Sequence, residues 1–382
     1  MAPSDGLTAA PTPAGAAPVV VVKIGTSSIT DADGRIADRA VVKLCGEVAE
    51  LWAAGHRVVV VTSGAVAAGL PALGLGGDRR PRDARTLQAV SAIGQSRLMR
   101  VYESAFAAHG LVAGQVLLAP LDFMVRQQYL HARGTLARLL ELGVVPVVNE
   151  NDAIADDEIR FGDNDRLSAL VAHLVGAGVL VLLTDTPGLL SADPRLDASA
   201  SLIEEIVEVD HELEALAGGA GSVRGSGGMA SKVAAAKIAS WSGVRAVIAA
   251  ASRDRVLPDA VAGVAGVGTI VLPRETRLPA RKLWIAFAVG ASGTVVVDDG
   301  ARRALERDGR SLLAAGVVDV VGDFGVDDPV EVVDTAGRVF AKGLVRLDAR
   351  GLRLVAGRRT ADLPEGTPHE AIHRDDLVVL PR

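Results

Sequence analysis

The sequence predicts an α/β fold, in which a mostly parallel sheet sandwiched by helices is followed by a small β-rich domain. Three observations carry this. Short β-branched runs recur as unbroken apolar stretches, helical periodicity lies between them, and both habits stop near residue 273. Unbroken apolar strands suit a parallel sheet covered on both faces, whereas a half-solvated sheet alternates apolar with polar. Strands that alternate with helices place those helices on the sheet faces.

Residues 1–17, MAPSDGLTAAPTPAGAA, are rich in Pro and Ala and lack both a basic start and an apolar core. They read as a disordered extension rather than a signal peptide. A first domain is placed at residues 18–273. Its expected strands are PVVVVK (18–23), RVVVVT (57–62), GVVPVV (143–148), GVLVLLT (178–184) and VRAVIAA (244–250). Between the last two runs and the third, RLSALVAHLVGAG sets Leu167, Leu170, Val171, Leu174 and Val175 at i, i+3, i+4, i+7 and i+8, one apolar helical stripe. VLPRETRLPARK (271–282), with its prolines and clustered charges, reads as a linker. A second domain is placed at residues 280–382, where short segments such as GTVVVDDG, VVDVVGDF and DLVVL are separated by Gly and Asp, as in an antiparallel sheet. One helix, GARRALERDG, is inserted there.

The totals narrow the function. A chain of 382 residues with 49% apolar residues supplies two cores, at roughly 100–200 residues per domain. A net charge of −6 argues against a general polyanion binder. Residues 276–382 carry 16 Lys+Arg against 16 Asp+Glu, so no strong nucleic-acid binding is expected of the tail. The single cysteine, Cys45, excludes an internal disulfide, suits a reducing compartment and is expected to be structural. No apolar run approaches the ~20 residues that span a bilayer. A soluble cytoplasmic protein with no membrane contact is expected.

In open parallel sheets, ligands bind beyond the carboxyl ends of the strands. Each expected strand is followed by small or polar residues: Lys23-Ile-Gly25 after the first, Thr62-Ser63-Gly64 after the second, Asn149-Glu150-Asn151-Asp152 after the third and Thr184-Asp185 after the fourth. A further cluster, Asp163-Asn164-Asp165, opens the helix at 166. Turn chemistry explains any one of these segments, but not their joint occurrence at one sheet edge. Gly25 and Gly64 allow close backbone approach to a ligand, and the helix after each offers its positive end to an anion. GSGGMASK brings Ser226, Gly227, Gly228, Met229, Ala230, Ser231 and Lys232 to the start of another helix. A glycine-rich turn opening a helix with a lysine near it is a physical recipe for holding phosphate.

Other chemistries fit less well. No G-x4-G-K-[ST] loop or strand-linked G-x-G-x-x-G occurs. TSGA lacks the first glycine of a nucleophile elbow, and the seven histidines are scattered without zinc-ligand spacing. Two lysines, Lys23 and Lys232, with nearby carboxylates and amides remain, and phosphoryl transfer needs that combination.

The motifs VVKIGTSS, VTSGAVAAGL, AVSAIGQSRLM, PVVNENDAI, FGDNDRLSALVA, LLTDTPGLLSADPR and GSGGMASK span residues 19 to about 270 in order. With them the sequence resembles the glutamate 5-kinase family of the amino acid kinase superfamily, with a C-terminal PUA domain. The resemblance implies the amino acid kinase fold and phosphorylation of the γ-carboxylate of L-glutamate by ATP with Mg²⁺, the first step of proline synthesis. It gives Lys23 and Lys232 to the ATP phosphates, and Ser63, Gly64, Asn149, Asp152, Asn164 and Asp165 to the amino-acid side. It gives Gly25, Thr184, Asp185 and residues 226–232 to the nucleotide. Asp163 resembles the aspartate that orients the two lysines. No residue is assigned to Mg²⁺, which the ATP phosphates would mainly hold. Proline as feedback inhibitor, a homo-oligomer (dimer or tetramer) and hand-over to glutamyl phosphate reductase are further expectations of the resemblance. Two positions depart from the family pattern: Ser226 stands where threonine is more common, and Arg166 where a small polar residue is. Kinases of the same superfamily acting on acetylglutamate, aspartate, carbamate or a nucleoside monophosphate are the near alternative, which GQSRLM and NEND argue against.

Overall fold

The computed structural model describes residues 18–380 apart from 76, 155–163, 194–196, 198, 219–227, 276, 289 and 365. The extension at 1–17 therefore lies outside the described residues. The chain divides into two compact units, Met1–Arg277 and Leu278–Arg382.

The first unit begins with strand β1 (Val19–Ile24), a single helical turn α1 (Thr26–Ile29), helix α2 (Asp38–Ala53) and β2 (Arg57–Val61). A short α3 (Ala65–Gly69), the long α4 (Ala84–Ala107), β3 (Val112–Leu118), α5 (Leu121–Met124), α6 (Arg126–Glu141) and β4 (Val144–Glu150) follow. Then come α7 (Asn164–Leu174), β5 (Val179–Thr184), β6 (Glu205–Ile206), α8 (His211–Ala217), α9 (Met229–Trp241), β7 (Arg245–Ala250), α10 (Val256–Ala262) and β8 (Thr269–Val271). Eight strands form one sheet in the order β3-β4-β2-β1-β5-β7-β8-β6. All neighbours are parallel except β7 and β8. The five strands expected from apolar runs are β1, β2, β4, β5 and β7. The three that sequence reading missed are short, or, like the edge strand β3, interrupted by Gly114 and Gln115 and only partly buried.

Both faces of the sheet are covered, which is why its central strands carry no polar alternation. Val20, Val22 and Ile24 of β1 join one core with residues of α2, α4 and α10. The period of two along a strand turns Val21 and Lys23 to the opposite face, where α7 and α9 pack. Lys23 thus lies on the α7/α9 side, at the carboxyl end of a central strand. Cys45 sits in α2 within the first core, and burial pushes its thiol up to about 12, as expected of an inert structural cysteine.

Glycines let α3 and α4 touch backbone to backbone. A Cβ on Gly94 would lie 1.7 Å from the Ala65 carbonyl oxygen, and one on Gly69 2.1 Å from that of Val90. Neither neighbour is a flexible side-chain end, so only glycine fits. This approach fixes α4 beside the loop that follows β2.

The second unit holds β9 (Gly293–Val297), β10 (Leu312–Leu313), β11 (Val317–Gly322), β12 (Pro329–Val333), β13 (Val339–Val345) and β14 (Glu370–Val379). They form one sheet in the order β10-β14-β13-β12-β9-β11, antiparallel apart from the β12–β9 pair. Helices α11 (Ala280–Leu283), α12 (Asp299–Asp308) and α13 (Ala349–Val355) accompany it. The expected inserted helix is α12, capped by Asp298. Buried Asp334 holds this unit together locally: it accepts from Arg302 at 2.6 Å and from the Ala336 and Arg338 amides.

His173, in the last turn of α7, is 7% exposed, and its Nε2 has no partner among the described residues. Burial first, and then the Arg133 and Arg277 guanidiniums, hold its pKa down at about 4. A folded-state value below the unfolded ~6.5 means that the unfolded chain takes up the proton first, so stability is lost as pH falls below 6.5. We expect His173 to contribute a loss of about 2 kcal/mol to urea unfolding between pH 7 and pH 4.5, which His173→Leu removes. An identical pH slope in the variant would contradict this.

Candidate active site

Because β4, β2, β1 and β5 are parallel neighbours, their carboxyl ends share one edge. A cleft of about 1270 Å³ opens over that edge, lined by the four strand ends and by the starts of α7 and α9. A pocket for one small molecule typically measures roughly 300–1,000 Å³, so there is room for two.

The floor is built on one carboxylate. Asp165, in the first turn of α7, is fully buried and forms an ion pair through Oδ1 with Lys23 Nζ. Its Oδ2 lies 3.2 Å from Lys232 Nζ and accepts from Ser231 Oγ at 2.7 Å. Lys23 and Lys232 are 3% and 5% exposed, and both line the cleft. Two buried ammonium groups side by side repel, and the carboxylate between them makes the arrangement tolerable. Helix α9 has Gly228 as its N-cap, a residue with no side chain to cap the first N–H groups, and such groups suit an anion in the cleft. Thr184 and Asp185 close this side, joined by a 3.1 Å hydrogen bond from Thr184 Oγ1 to Asp185 Oδ1.

The other side is lined with amides and a carboxylate. Asn164 Nδ2 faces three acceptors: the Thr62 carbonyl at 2.5 Å, Asn149 Oδ1 at 2.8 Å and Ser63 Oγ at 3.0 Å. Its Oδ1 is buried with no partner among the described residues. Leaving such an acceptor unpaired costs about 1–3 kcal/mol, so a donor on a ligand would be well received. Asp152 opens a one-turn 3-10 segment after β4, and its Oδ2 accepts from Ser91 Oγ of α4 at 2.9 Å. Gly64 adopts φ 100, and a Cβ there would meet the Ile29 side chain at 2.9 Å. Glycine is thus required for the turn that presents Ser63.

Of the residues singled out from sequence, Lys23, Gly25, Ser63, Gly64, Asn149, Asp152, Asn164, Thr184, Asp185, Gly228, Met229 and Lys232 line one cleft. Asp165 lies beneath them, and Ser231 reaches the site through Asp165. Ala230 occupies the same first turn of α9. Asp163, Ser226 and Gly227 lie outside the described residues. The resemblance gave Asp163 the part of orienting the lysines; among the described residues, the carboxylate set between them is that of Asp165. Arg166 is half-buried. Sequence reading missed the supports from α4, namely Ser91 under Asp152 and Gln95 under Asn149. Both fall within the AVSAIGQSRLM motif, but a motif does not say what its side chains touch.

Comparison with known proteins adds family-level findings. The amino acid kinase family model matches residues 18–250 and the PUA domain model residues 293–366. The chain is 50% identical to glutamate 5-kinase from Myxococcus xanthus over 366 residues, 94% of this chain and 96% of that protein. It is 45% identical to glutamate 5-kinase from Moorella thermoacetica over 94% of this chain and 96% of that protein. The corresponding protein of Citrifermentans bemidjiense is 46% identical over 94% of this chain and 97% of its own length.

Removing the Asp165 carboxylate leaves two buried ammonium groups without it. Asp165→Ala is expected to destabilise the ligand-free protein by about 3–5 kcal/mol in urea unfolding. Adding Lys23→Met to that variant should return part of the loss. A single variant as stable as the wild type would show that the lysines do not depend on this carboxylate.

Proposed function

The chain belongs to the amino acid kinase family, and we propose that the cleft described above is where it phosphorylates the γ-carboxylate of L-glutamate with ATP. The observation that carries this reading is the pairing of Lys23 and Lys232 on Asp165, directly beside the Asn149–Asn164 amide pair and Asp152. Phosphate machinery and an amino-acid pocket thereby face each other across one cleft.

The chemistry asks for little else. A γ-carboxylate is already an anionic nucleophile near neutral pH, so no general base is required. In the transition state, charge spreads over the oxygens of the moving phosphoryl group, and fixed cations and N–H donors stabilise it. Lys23 and Lys232 supply the cations, while the first turn of α9 supplies donors. Asp152 and Asn164 Oδ1 suit the substrate ammonium, and Ser63 with neighbouring N–H groups suits its α-carboxylate. Positioning the two reactants then does most of the remaining work.

Mg²⁺ fits as a partner of the nucleotide. Among the described residues no group of three or more His, Cys, Asp or Glu side chains could hold a metal, and Mg²⁺ bound to phosphates needs only one or two protein carboxylates. The ion would neutralise phosphate charge, and no protein ligand is assigned to it. Proline as feedback inhibitor, a homo-oligomer and hand-over of the short-lived acyl phosphate to a reductase belong to the same proposal. For the PUA unit, charge balance across residues 276–382 supports a role other than strong RNA binding. Among the described residues no helix is long and apolar enough to cross a membrane.

The direct test incubates the protein with ATP, Mg²⁺ and L-glutamate and traps the acyl phosphate with hydroxylamine. Glutamate-dependent hydroxamate is the expected product, and its absence beside brisk turnover of another superfamily substrate would overturn the reading. Lys232→Ala should lower kcat by roughly 10²–10³-fold in a folded protein. Asp152→Ala should raise the KM for glutamate and leave that for ATP unchanged. An unaltered glutamate KM would take Asp152 out of the substrate pocket.

A further inference from the structure

The amides of the substrate side do not stop at the cleft. Asn149 Nδ2 donates to Gln95 Oε1 of α4 at 2.8 Å, and Gln95 Nε2 donates to Gln115 Oε1 of the edge strand β3 at 3.2 Å. With Asn164 Nδ2 donating to Asn149 Oδ1, four side-chain amides run head to tail from the cleft to the sheet edge. We propose that Gln95, supported by Gln115, is a positioning residue that, together with the Glu150 N–H and the Thr62 carbonyl, holds the Asn149–Asn164 amide pair of the cleft in the single orientation the amino-acid substrate meets. This rests on the glutamate-kinase reading of the cleft.

Direction is decisive in such a chain. The two ends of a carboxamide have nearly the same shape, so only their partners decide which is nitrogen and which oxygen. Two backbone groups settle the matter here. The Glu150 N–H can only donate, and it meets Asn149 Oδ1 at 3.0 Å. The Thr62 carbonyl can only accept, and it meets Asn164 Nδ2. With Asn149 Oδ1 thus engaged by two donors, its Nδ2 must find an acceptor elsewhere. Gln95 supplies one, and Asn149 and Gln95 are 2% and 8% exposed. The consequence at the far end is that Asn164 keeps Oδ1 as its unpaired atom. An acceptor suits a substrate ammonium, whereas an N–H there would repel it.

Without an acceptor at position 95, Asn149 would keep a buried donor with no partner. Turning its amide over would instead set nitrogen against the Glu150 N–H and Asn164 Nδ2. The first arrangement keeps the orientation at the cost of an unpaired buried donor and the second costs two facing donors, so Asn149 no longer has one favoured pose against Asn164. The phosphate side is held instead by charge, through Lys23, Lys232 and Asp165.

The test compares Gln95→Met, which keeps the length of the side chain and removes its polar atoms, with Gln95→Glu. The latter keeps an acceptor oxygen for Asn149 whether or not it is protonated, and exposed Gln115 can turn its own amide to match. Gln95→Met is expected to raise the glutamate KM about tenfold, the worth of one well-placed hydrogen bond, with kcat and the ATP KM unchanged. Gln95→Glu should return the glutamate KM to that of the wild type. Gln115→Met, on the exposed edge where folding is not at stake, should give a smaller rise of the same kind. An unchanged glutamate KM in both Met variants would overturn the proposal. So would a parallel loss of kcat and both affinities in Gln95→Met and Gln95→Glu, which marks general damage. A wild-type protein without glutamate-dependent hydroxamate would remove the reading of the cleft itself; a normal wild type with unaffected variants would remove only the role of Gln95.

Discussion

One buried carboxylate holds the site together. Asp165 joins Lys23 at the end of β1, Lys232 in the first turns of α9 and its own helix α7 into a single electrostatic knot. Segments far apart in the chain, with Lys232 alone 67 residues from Asp165, are brought together at that point. Elsewhere in the sheet the demands are simple, since apolar strands and striped helices pack wherever their faces match. The knot is more exacting: each lysine must be buried to be fixed, and each needs a counter-charge to be buried. The period-two turn that puts Lys23 on the α7 side of β1 is therefore as much a condition of function as the lysine itself.

The amino-acid side is organised differently. Its groups are neutral amides, a hydroxyl and the carboxylates of Glu150 and Asp152, and the amides take their orientation from hydrogen bonds rather than charge. Helix α4 provides it. Gly94 and Gly69 allow backbone contact between α3 and α4, and this proximity lets Ser91 reach Asp152 and Gln95 reach Asn149. The glycine and the glutamine of GQSRLM thus serve one purpose: the first admits the helix, and the second uses the closeness.

The sequence made much of this legible, for physical reasons. Continuous Val-rich runs announced five of the eight strands because burial on both faces leaves no other pattern. Small polar residues after those runs marked the functional edge, because a parallel sheet gathers its strand ends. What could not be read was partnership. The neighbouring carboxylates Asp163 and Asp165 look alike in a string of letters, and only coordinates show Asp165 against both lysines. Edge strand β3 was missed because Gly114 and Gln115 break its apolar run, yet Gln115 is the residue that ends the amide chain. Its polarity, which hid the strand, is what the site uses.

The same distinction explains why templates for nucleophiles and bases failed on this chain. Among the described residues no histidine lines the cleft, and Ser63 touches an asparagine amide rather than a base. A reaction whose nucleophile arrives already ionised gives a protein nothing to deprotonate. Its remaining task is to hold two anionic reactants together against their mutual repulsion, which calls for fixed cations and pre-aimed dipoles. Such groups work through orientation rather than unusual reactivity. Their signature in a sequence is accordingly a set of short polar segments at strand ends, and their meaning emerges only when the fold brings those ends to one edge.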